Sequence, residues 1–387
     1  MDYIPYSRQS ITEQDIQAVC AVLRSDMVTQ GPVVPAFEEA FAQIHGVENA
    51  VAVSNATAGL HLACLALGVG PGGRVWTSPI SFLASANCAL YCGASIDFVD
   101  IDPISRNISV TALAEKLELA ALCGELPQVV IPVDFAGLPC DLREIRILAQ
   151  RYGFRILEDA SHATGAAYLG RPVGSSFADA SVFSFHAVKI ITTAEGGMIT
   201  TNDHALAHKL RLLRSHGMTR ELSDMLYPIE GPWVYEQHVL GFNYRLTDVL
   251  AALGYSQLQR LSTMQAQRVA LADNYNCLLK DLPLILPVRL PDRMSAWHLY
   301  VIEIDSTQAP CNRADVFKAF REAQIGVNVH YIPIHTQPYY ASLGFKPGDF
   351  PVAERYYSRA ISLPIFPEMN LEQQDKVVMT LRKLLLD

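Results

Sequence analysis

Between residues 49 and 201, seven short apolar runs alternate with helix-patterned stretches, and this alternation restricts the chain more than any other feature. The runs cover residues 49–54, 74–77, 95–99, 129–133, 154–157, 180–185 and 197–201. Helical patterns fall at about residues 81–92, 110–119 and 142–152, and another follows at 205–216. Strands that are apolar on both faces need cover on both faces, and helices supply it. The reading is an α/β fold with a mostly parallel central sheet flanked by helices. Ligands of such sheets gather at the carboxyl ends of the strands.

After residue 250 the pattern changes. Residues 247–282 read as one long helical stretch, 297–304 as a strand, 313–323 as a helix, 326–332 as a strand and 371–386 as a final helix. Proline-rich pieces at 282–291 and 347–351 read as surface connections. A chain of 387 residues has room for two domains. The expected division is a large α/β domain with an N-terminal arm over residues 1–250, and a smaller C-terminal α+β domain over 251–387.

The charge balance excludes some functions. A formal net charge of −9, from 30 basic against 39 acidic residues, does not make the basic face that non-specific nucleic-acid binding needs. The start, Met1-Asp2-Tyr3-Ile4-Pro5, has neither the basic nor the apolar region of a secretory leader. No apolar window is long enough to span a bilayer, so a cytoplasmic protein without membrane contact is expected. Eight scattered cysteines complete no zinc pattern; they read as reduced packing residues, with no metal expected.

Chemistry concentrates at two strand ends. Asp159 closes the run at 154–157, and Lys189 stands just past the run at 180–185. An acid and a lysine at adjacent strand ends suit pyridoxal 5'-phosphate (PLP): the lysine forms the Schiff base and the acid pairs with the pyridine nitrogen. By itself, Asp159 reads slightly better as a plain helix or turn cap at Ser161. Ser54-Asn55-Ala56-Thr57-Ala58-Gly59 runs from a strand into a helix start, which makes either an anion site or an ordinary capped helix. Ser184 is placed to donate a hydroxyl to a phosphate beside Thr57 and Ala58. His162 is placed to reach the cofactor's phenolic oxygen, or is a satisfied core histidine. Phe82 is placed to stack on the ring, or packs in the core. Residues 68–73 match G-x-G-x-x-G, but they close a helix and lead into a strand, the reverse of a dinucleotide site. That order disfavours the alternative of a nicotinamide-dependent sugar oxidoreductase or epimerase.

Three segments carry a resemblance: Asp159-Ala160-Ser161-His162-Ala163, Ser184-Phe185-His186-Ala187-Val188-Lys189 and Ala194-Glu195-Gly196-Gly197. They resemble the nucleotide-sugar aminotransferases of the DegT/DnrJ/EryC1/StrS family, which are fold-type I PLP enzymes. The resemblance covers nearly the whole chain. It implies that Lys189 binds PLP covalently and Asp159 pairs with its ring nitrogen. It implies that Thr57, the Ala58 amide and Ser184 hold the phosphate, that Phe82 stacks, and that Asn243 reaches the phosphate of a partner subunit in a homodimer with shared active sites. Relatives that act as dehydratases carry histidine in place of the lysine, so Lys189 points to an aminotransferase. Further segments at residues 6–11, 29–32, 240–246, 329–335 and 359–364 are similar to the branch serving pseudaminic acid biosynthesis. That similarity implies L-glutamate as donor and a UDP-linked 4-keto-6-deoxy-2-acetamido-L-hexose as acceptor. The 4-amino-4-deoxy-L-arabinose branch is the alternative. Tyr6, Gln30, His186, Tyr331 and His335 are the candidate sugar contacts by motif position. Asp134 stands where many relatives carry histidine.

Overall fold

The computed structural model describes residues 3–386. An arm leads into α1 (Glu13–Leu23) and α2 (Val33–His45), followed by β1 (Asn49–Val53), α3 (Ala56–Ala66), β2 (Arg74–Thr77), α4 (Ala84–Tyr91) and β3 (Ser95–Phe98). Then come α5 (Val110–Cys123), β4 (Val129–Ile131), α6 (Leu142–Tyr152), β5 (Arg155–Asp159), a small hairpin of β6 (Ala167–Tyr168) and β7 (Arg171–Pro172), β8 (Ala180–Ser184), β9 (Gly197–Thr201) and α7 (His204–Arg214). All seven expected runs are strands of one sheet, ordered β1-β9-β8-β5-β4-β2-β3. Every neighbouring pair is parallel except those involving β9, which runs antiparallel to both β1 and β8. Residues 68–73 fall between α3 and β2, so the glycine pattern opens no helix.

The sheet is apolar because it is covered twice. β1, β8 and β9 are buried at every position. Val51, Val53, Val182 and Ile199 pack on one side with Leu60 and Ala63 of α3. Ala50, Ala52, Phe183 and Met198 pack on the other with Phe37 and Phe41 of α2. The alternation within each strand is thus between two interiors, which is why no polar period is visible along it.

The later part of the chain holds β10 (Met218–Thr219), β11 (Glu236–Gln237), α8 (Asp248–Leu258), α9 (Leu261–Leu279), β12 (Leu284–Ile285), β13 (Arg293–Met294) and β14 (Tyr300–Ile304). It ends in α10 (Arg313–Glu322), α11 (Pro338–Ser342), α12 (Pro351–Arg359), β15 (Ala360–Leu363) and α13 (Leu371–Leu386). Three expectations change. The single helix expected at 247–282 is two, α8 and α9, parted where Arg260 turns aside to pair with buried Asp15 at 2.6 Å. The strand expected at 326–332 is only an isolated bridge, Asn328 with Ser362, and β14 lies between β12 and β15. Beyond that bridge the chain leaves the sheet and delivers His330 and Tyr331 to a cleft. The connection at 347–351 ends as the first turn of α12, with Pro351 in the position where a missing N–H costs nothing. A second core of Tyr275, Tyr300, Ile302, Phe320, Ile361 and Leu381 joins α9, α10 and α13 to this smaller sheet. Ile4 of the arm packs in it too and bridges to Ile325.

Candidate active site

β8 and β5 are neighbours in the sheet, so the turns that follow them open side by side. Asp159 ends β5. Ser85 Oγ of α4 donates to its Oδ2 at 2.6 Å, and the Ser161 N–H donates to its Oδ1 at 3.1 Å. The turn-capping reading of Asp159 is therefore true, and the same carboxylate lies close enough to Lys189 to act on its charge. Lys189 lies in the turn after β8, its N–H bonded to the His186 carbonyl at 2.9 Å. The arm crosses this turn, where Ser7 Oγ donates to the Val188 carbonyl at 3.2 Å. Desolvation lowers the Lys189 ammonium to about 8, while the nearby Asp159 charge pulls it the other way.

The loop at 192–197 is fixed rather than loose. Thr192 Oγ1 and the Thr193 N–H both bond the Phe185 carbonyl, and Gln257 of α8 accepts the Thr192 N–H at 3.0 Å. Gly254 of α8 is a glycine of close approach: a Cβ there would stand 2.6 Å from Thr193 Cγ2.

The strand-to-helix turn after β1 meets the same end of the sheet. Val53 and Ser184 both pair with Gly197, so α3 begins beside the end of β8. A Cβ on Gly197 would lie 2.8 Å from the Ala56 nitrogen, so only glycine lets the helix start pass. The Ala58 amide, expected at the phosphate, is bonded to a side chain in this structure. Asn55 is the N-cap of α3, and its Oδ1 accepts the Ala58 N–H at 2.8 Å. The amides left for an anion are those of Ala56 and Thr57, which have no intrahelical acceptor. Ser184 is buried at this edge.

His162 and Tyr331 form the opposite wall. The Ala136 N–H donates to His162 Nδ1 at 3.3 Å, so the neutral ring carries its proton on Nε2, 3.2 Å from the Tyr331 hydroxyl. Burial holds His162 well below the usual imidazole range, and the charge of Lys189 adds to this. His298 packs 4.4 Å from it between ring centroids, and His330 is pushed down to about 3 by burial. Phe82 is 59% exposed and lies over the cleft 6.4 Å from the Tyr331 ring, so it is not core packing. Tyr6 of the arm sits 5.7 Å from His330.

The remaining candidates scatter. His186 is exposed at the rim, 3.9 Å from Glu195. Gln30 is exposed in the turn before α2, with φ of 54°. Asn243 is exposed beside Ser215. His335 is not brought to the cleft: it is fully buried, bonds Glu354 at 2.9 Å through Nε2 and packs on Phe98 and Phe350. The sequence reading missed Ser85, whose only signal is its i, i+4 spacing from Ser81, the hydroxyl it meets at 2.6 Å. It also missed His298 and His330, which carry no local signal. Among the described residues no cluster of His, Cys, Asp or Glu is arranged to hold a metal ion, and no helix is long and apolar enough to cross a membrane.

Known proteins share this architecture and this sequence. Residues 9–382 match the DegT/DnrJ/EryC1/StrS aminotransferase family. The spore coat polysaccharide biosynthesis protein SpsC of Bacillus subtilis is 40% identical over 383 residues, covering 98% of this chain and 96% of its own. PseC of Helicobacter pylori, an aminotransferase involved in the biosynthesis of pseudoaminic acid, superposes with a TM-score of 0.90 at 33% identity over 99% of both chains. The PLP form of Spr1654 from Streptococcus pneumoniae superposes with a TM-score of 0.88 at 27% identity, over 99% of this chain and 98% of that one. These matches run over nearly the whole chain, so the chain belongs to the DegT/DnrJ/EryC1/StrS family and is a PLP-dependent sugar aminotransferase.

Proposed function

We propose that the enzyme moves the amino group of L-glutamate to C4 of a UDP-linked 4-keto-6-deoxy-2-acetamido-L-hexose, in pseudaminic acid biosynthesis. The whole-chain likeness to PseC is the observation that carries this choice of sugar. The residues present fit PLP. Two first-turn amides, at Ala56 and Thr57, stand unused next to the Thr57 and Ser184 hydroxyls, and Gly197 keeps the space above them open. These groups hold the phosphate. Asp159, fixed by Ser85 and Ser161, offers its carboxylate to the ring nitrogen, and Phe82 covers a ring face. His162, neutral and oriented by the Ala136 amide, holds a proton at Nε2 toward the Tyr331 hydroxyl.

When bound, PLP supplies a carbonyl for the amine and a ring that withdraws electron density from the reacting carbon. Lys189 does the chain's own chemistry. Its ammonium titrates near 8, so a useful fraction is neutral at physiological pH and attacks as a nucleophile. With PLP bound, the same Nζ would take the proton from the substrate carbon that carries the nitrogen and deliver it to the cofactor carbon on the other side of that nitrogen, a positioned acid and base. His186, Tyr6, Gln30 and Tyr331 are proposed to face the sugar; buried His335 is left out of that set.

The enzyme is proposed to work as a homodimer in the cytoplasm, where its nucleotide-sugar substrate is available. Exposed Leu222, Leu226, Tyr227, Trp233, Tyr235 and Leu240 support a second copy of the chain as cover for the segment before Asn243. Two units, residues 1–250 and 251–387, are proposed to enclose the cleft between them.

The test is a panel of UDP-4-keto sugars with L-glutamate, following 2-oxoglutarate and aminated product. The expected best substrate is the 2-acetamido-6-deoxy-L-hexose. Preference for the 4-keto pentose would move the assignment to the 4-amino-4-deoxy-L-arabinose reaction. Amination of none of them would reject a UDP-sugar substrate.

A further inference from the structure

Behind Asp159 lies a second pair of carboxyl groups that the reaction described above does not use. Asp134 and Glu158 are both fully buried. Glu158 precedes Asp159 on β5, so its side chain leaves the opposite face of the strand. Asp134 follows the Val133–Asp159 bridge, and its N–H donates to the Asp159 carbonyl at 3.1 Å. One oxygen of each carboxyl has a donor: the Cys140 N–H reaches Asp134 Oδ1 at 2.8 Å, and Ser181 Oγ donates to Glu158 Oε2. The other oxygens, Asp134 Oδ2 and Glu158 Oε1, have no hydrogen-bond partner within normal geometry.

Nothing nearby neutralises two charges. From the turn after Asp134 come the Cys140 thiol, which donates to the Val133 carbonyl, and Asp141, which is paired with Arg293. From β8 comes the Ser181 hydroxyl, from the segment after β7 the Gly174 amide, and from β5 Asp159 itself. Among the described residues no Lys, Arg or His forms an ion pair with either carboxyl. Two adjacent carboxylates cannot both ionise in such a place. Burial and the Glu158 charge push Asp134 well up, and burial pushes Glu158 up to about 7. A proton between the two orphaned oxygens satisfies both at once.

We infer that Asp134 and Glu158 share one proton between Oδ2 and Oε1, and that the single negative charge they retain acts as a positioning charge behind Asp159, favouring the protonated forms of the PLP–Lys189 system. Asp159 touches the cofactor; the pair acts through it and through the common strand end.

The test uses isosteric amides. Asp134→Asn and Glu158→Gln each replace the shared proton by an amide N–H and leave one negative charge. The double variant pairs two amides and carries none. Infrared spectra of the apoprotein at pH 8 are expected to show a protonated-carboxyl carbonyl band that both single variants lack. In the holoenzyme, the pH titration of the visible PLP band is expected to match wild type in both singles and to shift to lower pH in the double variant. The glutamate half-reaction at pH 8 is expected to be within about 2-fold of wild type in the singles and about 10-fold slower in the double. No such band in the wild-type apoprotein, or its persistence in Asp134→Asn, overturns the shared proton. A double variant that titrates with wild type overturns the positioning role. If the double variant does not fold, the spectra of the two singles still decide the shared proton, and Asp134→Asn combined with Glu158→Leu, which leaves no carboxyl at either position, takes over the titration.

Discussion

Lys189 changes its protonation state at lower pH than a solvated lysine, and two measurements follow at that one residue. Capture of added PLP by the apoenzyme, read by stopped-flow absorbance, is expected to quicken as pH rises through a midpoint at about 8, where half of the amine is neutral, and to level off above it. Folding responds with a definite sign. The unfolded lysine keeps its proton up to about 10.5 and the folded one only to about 8, so the unfolded chain binds more protons between those values. Apoprotein stability is therefore expected to gain from this residue as pH rises from 8 to 10.5. Lys189→Met should be the more stable apoprotein at pH 7, with the gap narrowing at high pH, as urea midpoints would show. Activity of Lys189→Met should be lost by at least about 10²-fold, the usual value of a positioned acid–base group. Legibility also differs residue by residue. Asp159 and Lys189 stood out in the sequence because each is a charge set against a long apolar run. Asn55 closing off Ala58, and Glu354 drawing His335 into the interior, depend on contacts across tertiary space that no local pattern encodes.

At the level of elements, the start of α3 does two jobs, and they can be separated. Asn55→Ala removes the N-cap and is expected to cost about 1 kcal/mol in urea unfolding. It also frees the Ala58 amide, so PLP affinity is expected to fall by less than the loss of stability suggests. Gly197→Ala places a methyl group against the Ala56 nitrogen and should cost about 1–3 kcal/mol by overpacking, with PLP binding at least about 10-fold weaker by fluorescence titration. The strands of the large sheet were readable because burial on both faces leaves continuous apolar runs. β15 was not, since its four residues Ala360–Leu363 pass for a loop until β14 pairs with them. The break between α8 and α9 was hidden for a related reason: no proline or glycine marks it, and only the pull of Asp15 on Arg260 does.

Across the whole molecule, Arg268 ties α9 to the chain entering β14 and to the chain leaving β15. It is fully buried on α9, pushed down to about 10 by burial, and reaches the carbonyls of Trp297, His298 and Ile365 without an acid among these partners. Arg268→Met leaves those carbonyls short of a donor and is expected to cost about 3 kcal/mol, measured by denaturant unfolding. The proposed dimer has its own test at this scale. Lys189→Ala and Asn243→Ala proteins, each with little activity alone, are expected to regain up to about a quarter of wild-type activity when unfolded together and refolded. One site of each mixed dimer then has both residues intact, and half of the dimers are mixed if pairing is random. No recovery would argue that each chain completes its own site.

The antiparallel placing of β9 has a consequence for how the chain emerges from the ribosome. β1 is the first strand made, yet among the described residues its only neighbour in the sheet is β9, from Asn49 against Thr201 to Val53 against Gly197. Until residue 201 has been synthesised, β1 has no strand to join, and the turn after it has no Gly197 backing it. A nascent chain halted shortly before that point should present an unpaired apolar strand to chaperones and fail to retain PLP. One released shortly after it has what the phosphate end of the site requires from its own strands.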